Sequence, residues 1–266
     1  MASPVGNEIL VRIVSAVALA VIALVGALLG GWATAIVLAV VTAIFHLEWV
    51  RLTDGVPFPG AVFTISLVLA IAMTAMGLVI GGLILVALAV GFSALMLSPW
   101  RPAGVIYAAM LGLGLLILRL TPMGLPAVIF VLAIVWTTDT AAFFAGRAIG
   151  GAKLAPRVSP NKTWAGAIGG LVGGVVAGLI VAAIAGLPLS PLLILIAALL
   201  SAASQGGDLF ESWVKRVFGA KDSGTIIPGH GGLMDRVDGL AVAGGVAAIV
   251  GWLHAGANVS VGLLLW

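Results

Sequence analysis

Residues 9–29 carry a single charged side chain, Arg12. Comparable apolar runs follow at 32–47, 60–79, 82–98, 104–118, 124–139, 166–186, 190–206 and 239–257. A bilayer core asks for roughly 20 consecutive apolar residues per helix. Across the whole chain 62% of residues are hydrophobic and 8% are charged, against roughly 25% charged in a soluble domain. A chain so poor in polar side chains has to turn most of its surface to lipid. The runs are continuous rather than alternating, which excludes a β-barrel pattern. The sequence therefore predicts an all-α, polytopic integral membrane protein with about nine transmembrane helices. The first run is long for a signal-peptide core, has only Glu8 before it, and leads directly into further spans. It reads as a retained helix. Residues 259–266 are too few to cross again.

Nine spans put successive loops on alternating sides, and basic residues mark the cytoplasmic one. Arg12, Arg51, Arg101, Arg147, Lys153, Arg157, Lys162, Lys215, Arg216, Lys221 and Arg236 all fall on the side of the N-terminus. Only Arg119 falls on the other. The expected topology has the N-terminus in the cytoplasm, the C-terminus outside and the active site facing the cytoplasm. The length and the lack of targeting signals suit a bacterial inner membrane. The net charge of +3 is accounted for by these topology signals and does not indicate nucleic acid. Cysteine is absent, which excludes thiolate metal sites and cysteine nucleophiles.

Polarity concentrates late in the chain. Six of the nine acidic residues are Asp139, Asp208, Glu211, Asp222, Asp235 and Asp238. The chain divides into N-terminal transmembrane helices, 1–123, which show no recognisable chemistry, and a C-terminal catalytic region, 124–266. Ionisable groups at membrane depth are costly, so they pair, face water or serve function. If Asp208 begins a helix, then Asp208, Glu211, Ser212 and Lys215 share one face and Leu209, Trp213 and Val217 the other. Such a helix would end at Gly219 and either lie on the membrane surface or present a solvated face held by Glu211–Lys215 pairing. A helix starting near Leu233 puts Asp235 and Asp238 on one face. Magnesium takes one or two protein carboxylates and keeps water and phosphate oxygens for the rest of its shell. With Asp208 and Asp222 nearby in sequence, these acids suit that ion. Lys215, Arg216, Lys221 and Arg236 add positive charge for phosphates. His230, set among glycines, suits a phosphate contact or a proton transfer. His46 and His254 read as structural. The earlier polar stretch starts at Asp139, which closes the sixth span, and adds Arg147, Lys153, Arg157, Ser159 and Lys162. It suits an anionic headgroup or nucleotide phosphate. No Walker A pattern occurs.

Between these stretches Gly166, Gly170, Gly174 and Gly178 recur every four residues. The stripe permits close backbone approach to a neighbouring helix. That neighbour is a helix of the same chain or, in a homodimer, of a second copy.

The stretch SWVKRVFGAKDSGTIIPGHGGLMDRVD, residues 212–238, resembles the signature of phosphatidate cytidylyltransferases, also called CDP-diacylglycerol synthases. The serine, the Lys-Arg and Lys-Asp pairs, the His-Gly-Gly turn and the final Asp-Arg-x-Asp are all present. GDLFES, WTTDTAAFFAGR and LAPRVSPNKTWAG are similar to further segments of that family. The resemblance spans roughly residues 135–240. It departs from the family at Ala141-Ala142-Phe143, at Gly239, where serine is frequent, and at Ala165, where glutamate is usual. What the resemblance implies is a magnesium-dependent transfer between CTP and phosphatidic acid that gives CDP-diacylglycerol and pyrophosphate in phospholipid biosynthesis. It implies Asp208 and Asp235 as principal metal ligands, with Asp222 and Asp238 as second ligands or orienting groups. The resemblance also implies a second, monovalent ion such as potassium beside magnesium. Lys215, Arg216, Lys221 and Arg236 would hold phosphates, Ser212 and His230 would contact one, and Asp139, Lys153, Ser159 and Lys162 would complete the substrate site. Two rivals remain: a CTP-dependent polyprenol kinase, with the same metal chemistry on an alcohol, and a transporter. Transporters carry midplane charges and internal repeats, whereas here the charges gather at one face.

Overall fold

Every backbone N–H and C=O in a bilayer has to be satisfied within its own segment or a closed barrel, and each apolar run of this chain does so as a helix. A computed structural model describes residues 4–55, 58–96, 98–226 and 231–266. His230 lies outside the described residues. The helices are α1 (Pro4–Leu29), α2 (Gly31–Thr53), α3 (Gly60–Ala75), α4 (Val79–Ala94), α5 (Trp100–Leu120) and α6 (Gly124–Ile149), followed by α7 (Trp164–Ile184), α8 (Pro191–Val217), α9 (Met234–Ala255) and the short α10 (Val259–Leu264). A two-stranded antiparallel hairpin, β1 (Lys153–Ala155) and β2 (Ser159–Thr163), stands between α6 and α7. Each of the nine expected runs coincides with one of α1 to α9. Among the described residues six helices, α2 and α5 to α9, are long and apolar enough to cross a membrane. At 16 residues each, α3 and α4 measure about 24 Å by helical rise, less than the roughly 30 Å of a bilayer core.

Two expectations about boundaries need correction. Asp139 does not close its span, because α6 continues to Ile149. Residues 208–217 do not form a separate helix on the membrane surface. They are the last turns of α8, which runs unbroken from Pro191. Polar residues entered the tail of each helix and hid its continuation from hydropathy. The end at Gly219 is as expected: it adopts φ +67°, Gly219 N–H donates to Arg216 O and Ala220 N–H to Lys215 O. Those two bonds make a Schellman motif.

Of those six helices α5 is the most buried, and it lies against α2, α3, α4 and α9. Its glycines are what permit this. A Cβ on Gly114 would stand 2.9 Å from Gly244 O of α9, and one on Gly112 would strike Thr42 of α2. The Gly166–Gly178 stripe does the same for α7. A Cβ on Gly166 or Gly170 would lie 2.8 Å from a carbonyl oxygen of α6, Ala142 O or Thr138 O respectively. The stripe thus serves packing within the chain. On the opposite side of α7, Ile168, Val172, Val176, Ile180 and Ile184 are all exposed, as a lipid-facing surface should be.

This packing makes a prediction. Gly174 has Thr138 and Ser201 against its Cβ position, so Gly174→Val overpacks the α6–α7–α8 junction. Overpacking costs about 1–3 kcal/mol and occasionally more. Thermal unfolding in detergent should show a clearly lowered midpoint, whereas Val176→Ala on the lipid face leaves it nearly unchanged.

Candidate active site

Three elements converge on the start of α9. Glu48 of α2 is fully buried. Its carboxylate accepts hydrogen bonds from the backbone N–H of Leu233 (3.0 Å) and of Met234 (2.7 Å), and from the Ser223 hydroxyl (3.5 Å). The first N–H groups of a helix have no partner of their own and carry the positive end of its dipole. A carboxylate from a distant helix satisfies both needs. The glycines around it make room: a Cβ on Gly224 would meet Glu48 Oε1 at 2.6 Å, and one on Gly232 would meet Oε2 at 2.8 Å. So these glycines accommodate a side chain of the N-terminal half.

Asp235 ties the same loop down from the other side. It accepts from Gly232 N–H (2.9 Å), from Ser223 N–H (3.0 Å) and from the Lys215 ammonium (2.7 Å). Lys215 also lies 2.6 Å from the carboxylate of Glu211, which is fully buried. One lysine thus bridges two acids, Glu211 on its own helix and Asp235 on α9. Breaking such a buried pair by removing one partner leaves an uncompensated charge. Gly231, at φ +86°, turns the chain between Asp222 and Asp235. The Cβ position of Gly231 lies 3.0 Å from Asp235 Oδ2 and 3.7 Å from Asp222 Cγ.

A second group forms where the hairpin meets α8. Lys162 of β2 pairs with Asp208, and the Ser212 hydroxyl donates to the same carboxylate at 3.4 Å. Arg216 donates to Val158 O at 3.3 Å and so fastens the hairpin to α8. Thr163 ends β2 and caps α7 by accepting from Gly166 N–H at 3.0 Å, which sets Ala165 in the first turn of α7. Asp139 and Asp238 lie close enough to Asp208 and Lys162 for their charges to act on one another. The α8–α9 approach that allows this depends on glycine at both crossings: a Cβ on Gly207 would meet Asp238 O at 2.8 Å, and one on Gly239 would meet Ser204 O at 2.9 Å. A serine at position 239 would not fit here without a shift. Tyr107 of α5 seals the crossing by donating to Asp238 O at 3.0 Å.

Of the site residues expected from sequence, the structure brings Asp208, Ser212, Lys162, Asp139 and Asp238 into one group, and Lys215 and Asp235 into another. Asp222 and Arg236 are exposed beside the second group. Lys153 and Lys221 are exposed, outside these contacts, and Ser159 is half-buried at the start of β2. Sequence reasoning missed Glu48, Tyr107 and the second half of the Lys215 bridge, to Asp235. The one available signal for Glu48 was a carboxylate at the very end of an apolar run, which is costly without a purpose. His46 and His254 are structural, as expected: His46 bonds Thr64 at 2.8 Å, and His254 stacks on Trp266.

Among the described residues no three acidic or histidine side chains form a cage for a metal ion. Magnesium does not need one, since one or two carboxylates, water and phosphate oxygens suffice. Asp139, Asp208 and Asp238 are near enough on the hairpin side, around Lys162, to act on one another's charge. One or two of these carboxylates, rather than all three together, fit a hydrated divalent ion.

The sequence model of the cytidylyltransferase family matches residues 10–254. The chain belongs to the cytidylyltransferase family. The match takes in α2 with Glu48 as well as the signature region. A phosphatidate cytidylyltransferase of Brucella suis is 50% identical over 161 residues, 60% of this chain and 60% of the relative. The chain thus spans about 60% of the length of the Brucella relatives it matches. A phosphatidate cytidylyltransferase of Pseudomonas aeruginosa is 39% identical over 260 residues, 91% of this chain and 96% of the relative. One of Bacillus subtilis is 43% identical over 116 residues, 43% of each chain.

The Glu48 contact makes a prediction of its own. Each buried donor left without a partner costs about 1–3 kcal/mol. Glu48→Ala strands two such N–H groups and should destabilise the protein by about 2–6 kcal/mol on that scale. Glu48→Gln keeps one carbonyl acceptor and should cost less. Thermal unfolding of the purified variants in detergent gives the order wild type, Gln, Ala.

Proposed function

We propose that this chain is a phosphatidate cytidylyltransferase, joining CTP and phosphatidate to give CDP-diacylglycerol and pyrophosphate. The observation that carries the reading is the gathering of the signature's acids and bases, from α6, β2, α8 and α9, at the end of an otherwise apolar bundle. The nearly full-length similarity to the Pseudomonas aeruginosa protein supports it.

In this reading an oxygen of the lipid phosphate attacks the α-phosphorus of CTP, and the bond to the bridging oxygen of the pyrophosphate breaks. The lipid phosphate is already ionised near neutral pH, so no strong general base is required. The difficulty is bringing two anions together, and catalysis is then mostly positioning and electrostatic stabilisation. Lys162, Arg216, Lys221 and Arg236 supply positive charge for the phosphates, and Ser212 and His230 supply hydrogen bonds. Asp208, with Asp139 or Asp238 as a second carboxylate, would hold magnesium; Asp222 adds a further carboxylate at the rim. Magnesium bound there would screen the phosphate oxygens and polarise the reacting phosphorus. Asp235 has donors on both oxygens, from Lys215 and two backbone N–H groups. We assign it the task of holding the loop and Lys215 in register, alongside the metal-ligand role implied by the family signature. A second, monovalent ion such as potassium belongs to the same proposal, as do Lys153 and Ser159 as outer substrate contacts.

We further propose that α1 to α9 all cross a bacterial inner membrane, with the N-terminus and the active site cytoplasmic and the C-terminus outside. The distribution of basic residues supports this. Arg119, alone at the far end, donates to Ala27 O at 2.6 Å, where a cation favours the negative end of α1.

The test is turnover of labelled CTP by purified protein in detergent, with phosphatidic acid and magnesium. A lipid-soluble cytidine product that needs both is the expected result. Chelation should abolish it and added magnesium restore it. Asp208→Asn should lower kcat by about a hundredfold or more, the scale of a lost electrostatic contact in an active site. Release of CDP with an alcohol lipid, and no labelled lipid from phosphatidate, would assign the chain to the kinases instead.

A further inference from the structure

An apolar cavity of about 240 Å³ lies between α1, α2, α5, α6 and α9. Among the described residues lining it, two are polar, Thr34 and Arg236. The Thr34 hydroxyl is already committed to Gly26 O at 2.6 Å, so the long walls offer nothing to water. An apolar cavity of this kind stays dry and takes apolar guests. Arg236 is therefore the one ionisable group of the lining, and it marks one end.

The cavity has a direction. Along α6 its wall runs from Trp136 to Val128, and along α1 from Leu19 to Ala27. Eight residues of helix make about 12 Å. The Arg236 end adjoins the charged site, since Asp235 and Asp238 flank that residue on α9. The cavity also opens sideways. Ile22 of α1 and Trp136 of α6 line it and yet are 49% and 38% exposed. The gap between those helices faces the surface that lipid covers. A guest that suits a dry channel about 12 Å long, open to lipid and ending at a guanidinium, has an acyl chain and an anionic head. Guanidinium groups bind phosphate oxygens in pairs.

We propose that this groove holds one acyl chain of the phosphatidate substrate, admitted laterally between α1 and α6, with the lipid phosphate drawn to Arg236. The proposal rests on the cytidylyltransferase reading and adds to it the place where the lipid tail lies. The second chain stays in the bilayer. The N-terminal helix α1 then acts in substrate selection, as one wall of the groove.

Ala23 lines the groove from α1, and Ala23→Trp fills it without touching the charged site. Wild type and variant are assayed with dihexanoyl and dioleoyl phosphatidate. The variant should raise KM for the dioleoyl lipid about tenfold, the effect of losing contact with two or so methylenes. KM for the dihexanoyl lipid and kcat for both should stay within about twofold of wild type on the same scale. An unchanged dioleoyl KM in folded variant overturns the groove. So does a changed oligomeric state without a chain-length effect, which would give the groove to a second copy. A measurement on the unmodified chain accompanies these assays: phosphatidate with a mid-chain diazirine, photolysed on wild-type protein. Adducts should fall on residues 19–27 and 128–136. Turnover with adducts only elsewhere overturns the groove and leaves the enzymatic reading intact. Adducts in the groove without turnover of phosphatidate keep an anionic-lipid site and remove the enzymatic reading. Absence of both defeats both.

Discussion

A carboxylate buried in a membrane protein needs donors, and Glu48 finds them at the start of α9. That contact ties α2, near the beginning of the chain, to the loop that carries most of the charge. It satisfies the first N–H groups of α9, fixes Ser223, and packs against Gly224 and Gly232. The neighbouring residues reinforce the link. Trp49 donates to Trp100 O at 2.8 Å and stacks on Phe210 of α8. Asp54 pairs with Arg101 at 2.8 Å, joining the end of α2 to the start of α5. With α2 so anchored, α8 and α9 are held at the spacing their facing glycines allow.

The charges then divide by environment. Glu211, Lys215 and Asp235 are shielded, and one ammonium serves both carboxylates, the kind of pairing by which ionisable groups persist at membrane depth. Their rigidity sets the frame. Asp139, Asp222, Lys153, Lys221 and Arg236 are exposed and remain accessible to ligands. Asp208 and Lys162 stand between these extremes, at 35% and 27% side-chain exposure. Under the proposed function the site gains from this division, because donors fixed beforehand need not reorganise when charge develops.

Much of this was legible in the sequence because hydropathy speaks directly to lipid. Nine apolar runs became nine helices, and the acid-rich C-terminal half became the charged end of the bundle. The extension of α6 past Asp139 and the continuity of α8 through Asp208 were not legible. There the helix leaves the apolar zone while its backbone pattern continues, and only tertiary contacts keep it helical. The role of Glu48 was hidden for a different reason. Its partners are backbone N–H groups 185 and 186 residues away, and backbone groups leave no residue-type signal. The glycine stripe of α7 illustrates the intermediate case: its face was readable, but whether its neighbour lay in the same chain was not. The hairpin was missed as structure, although its Lys162 was singled out for chemistry.

The account stands on Glu48 holding the start of α9, and amide hydrogen exchange reads that contact directly. Peptides covering residues 231–240 are followed by mass spectrometry in wild type and in Glu48→Gln. The account predicts slow exchange at Leu233 and Met234 in wild type and markedly faster exchange in the variant, with α7 peptides unchanged. Equal protection in both proteins would contradict it.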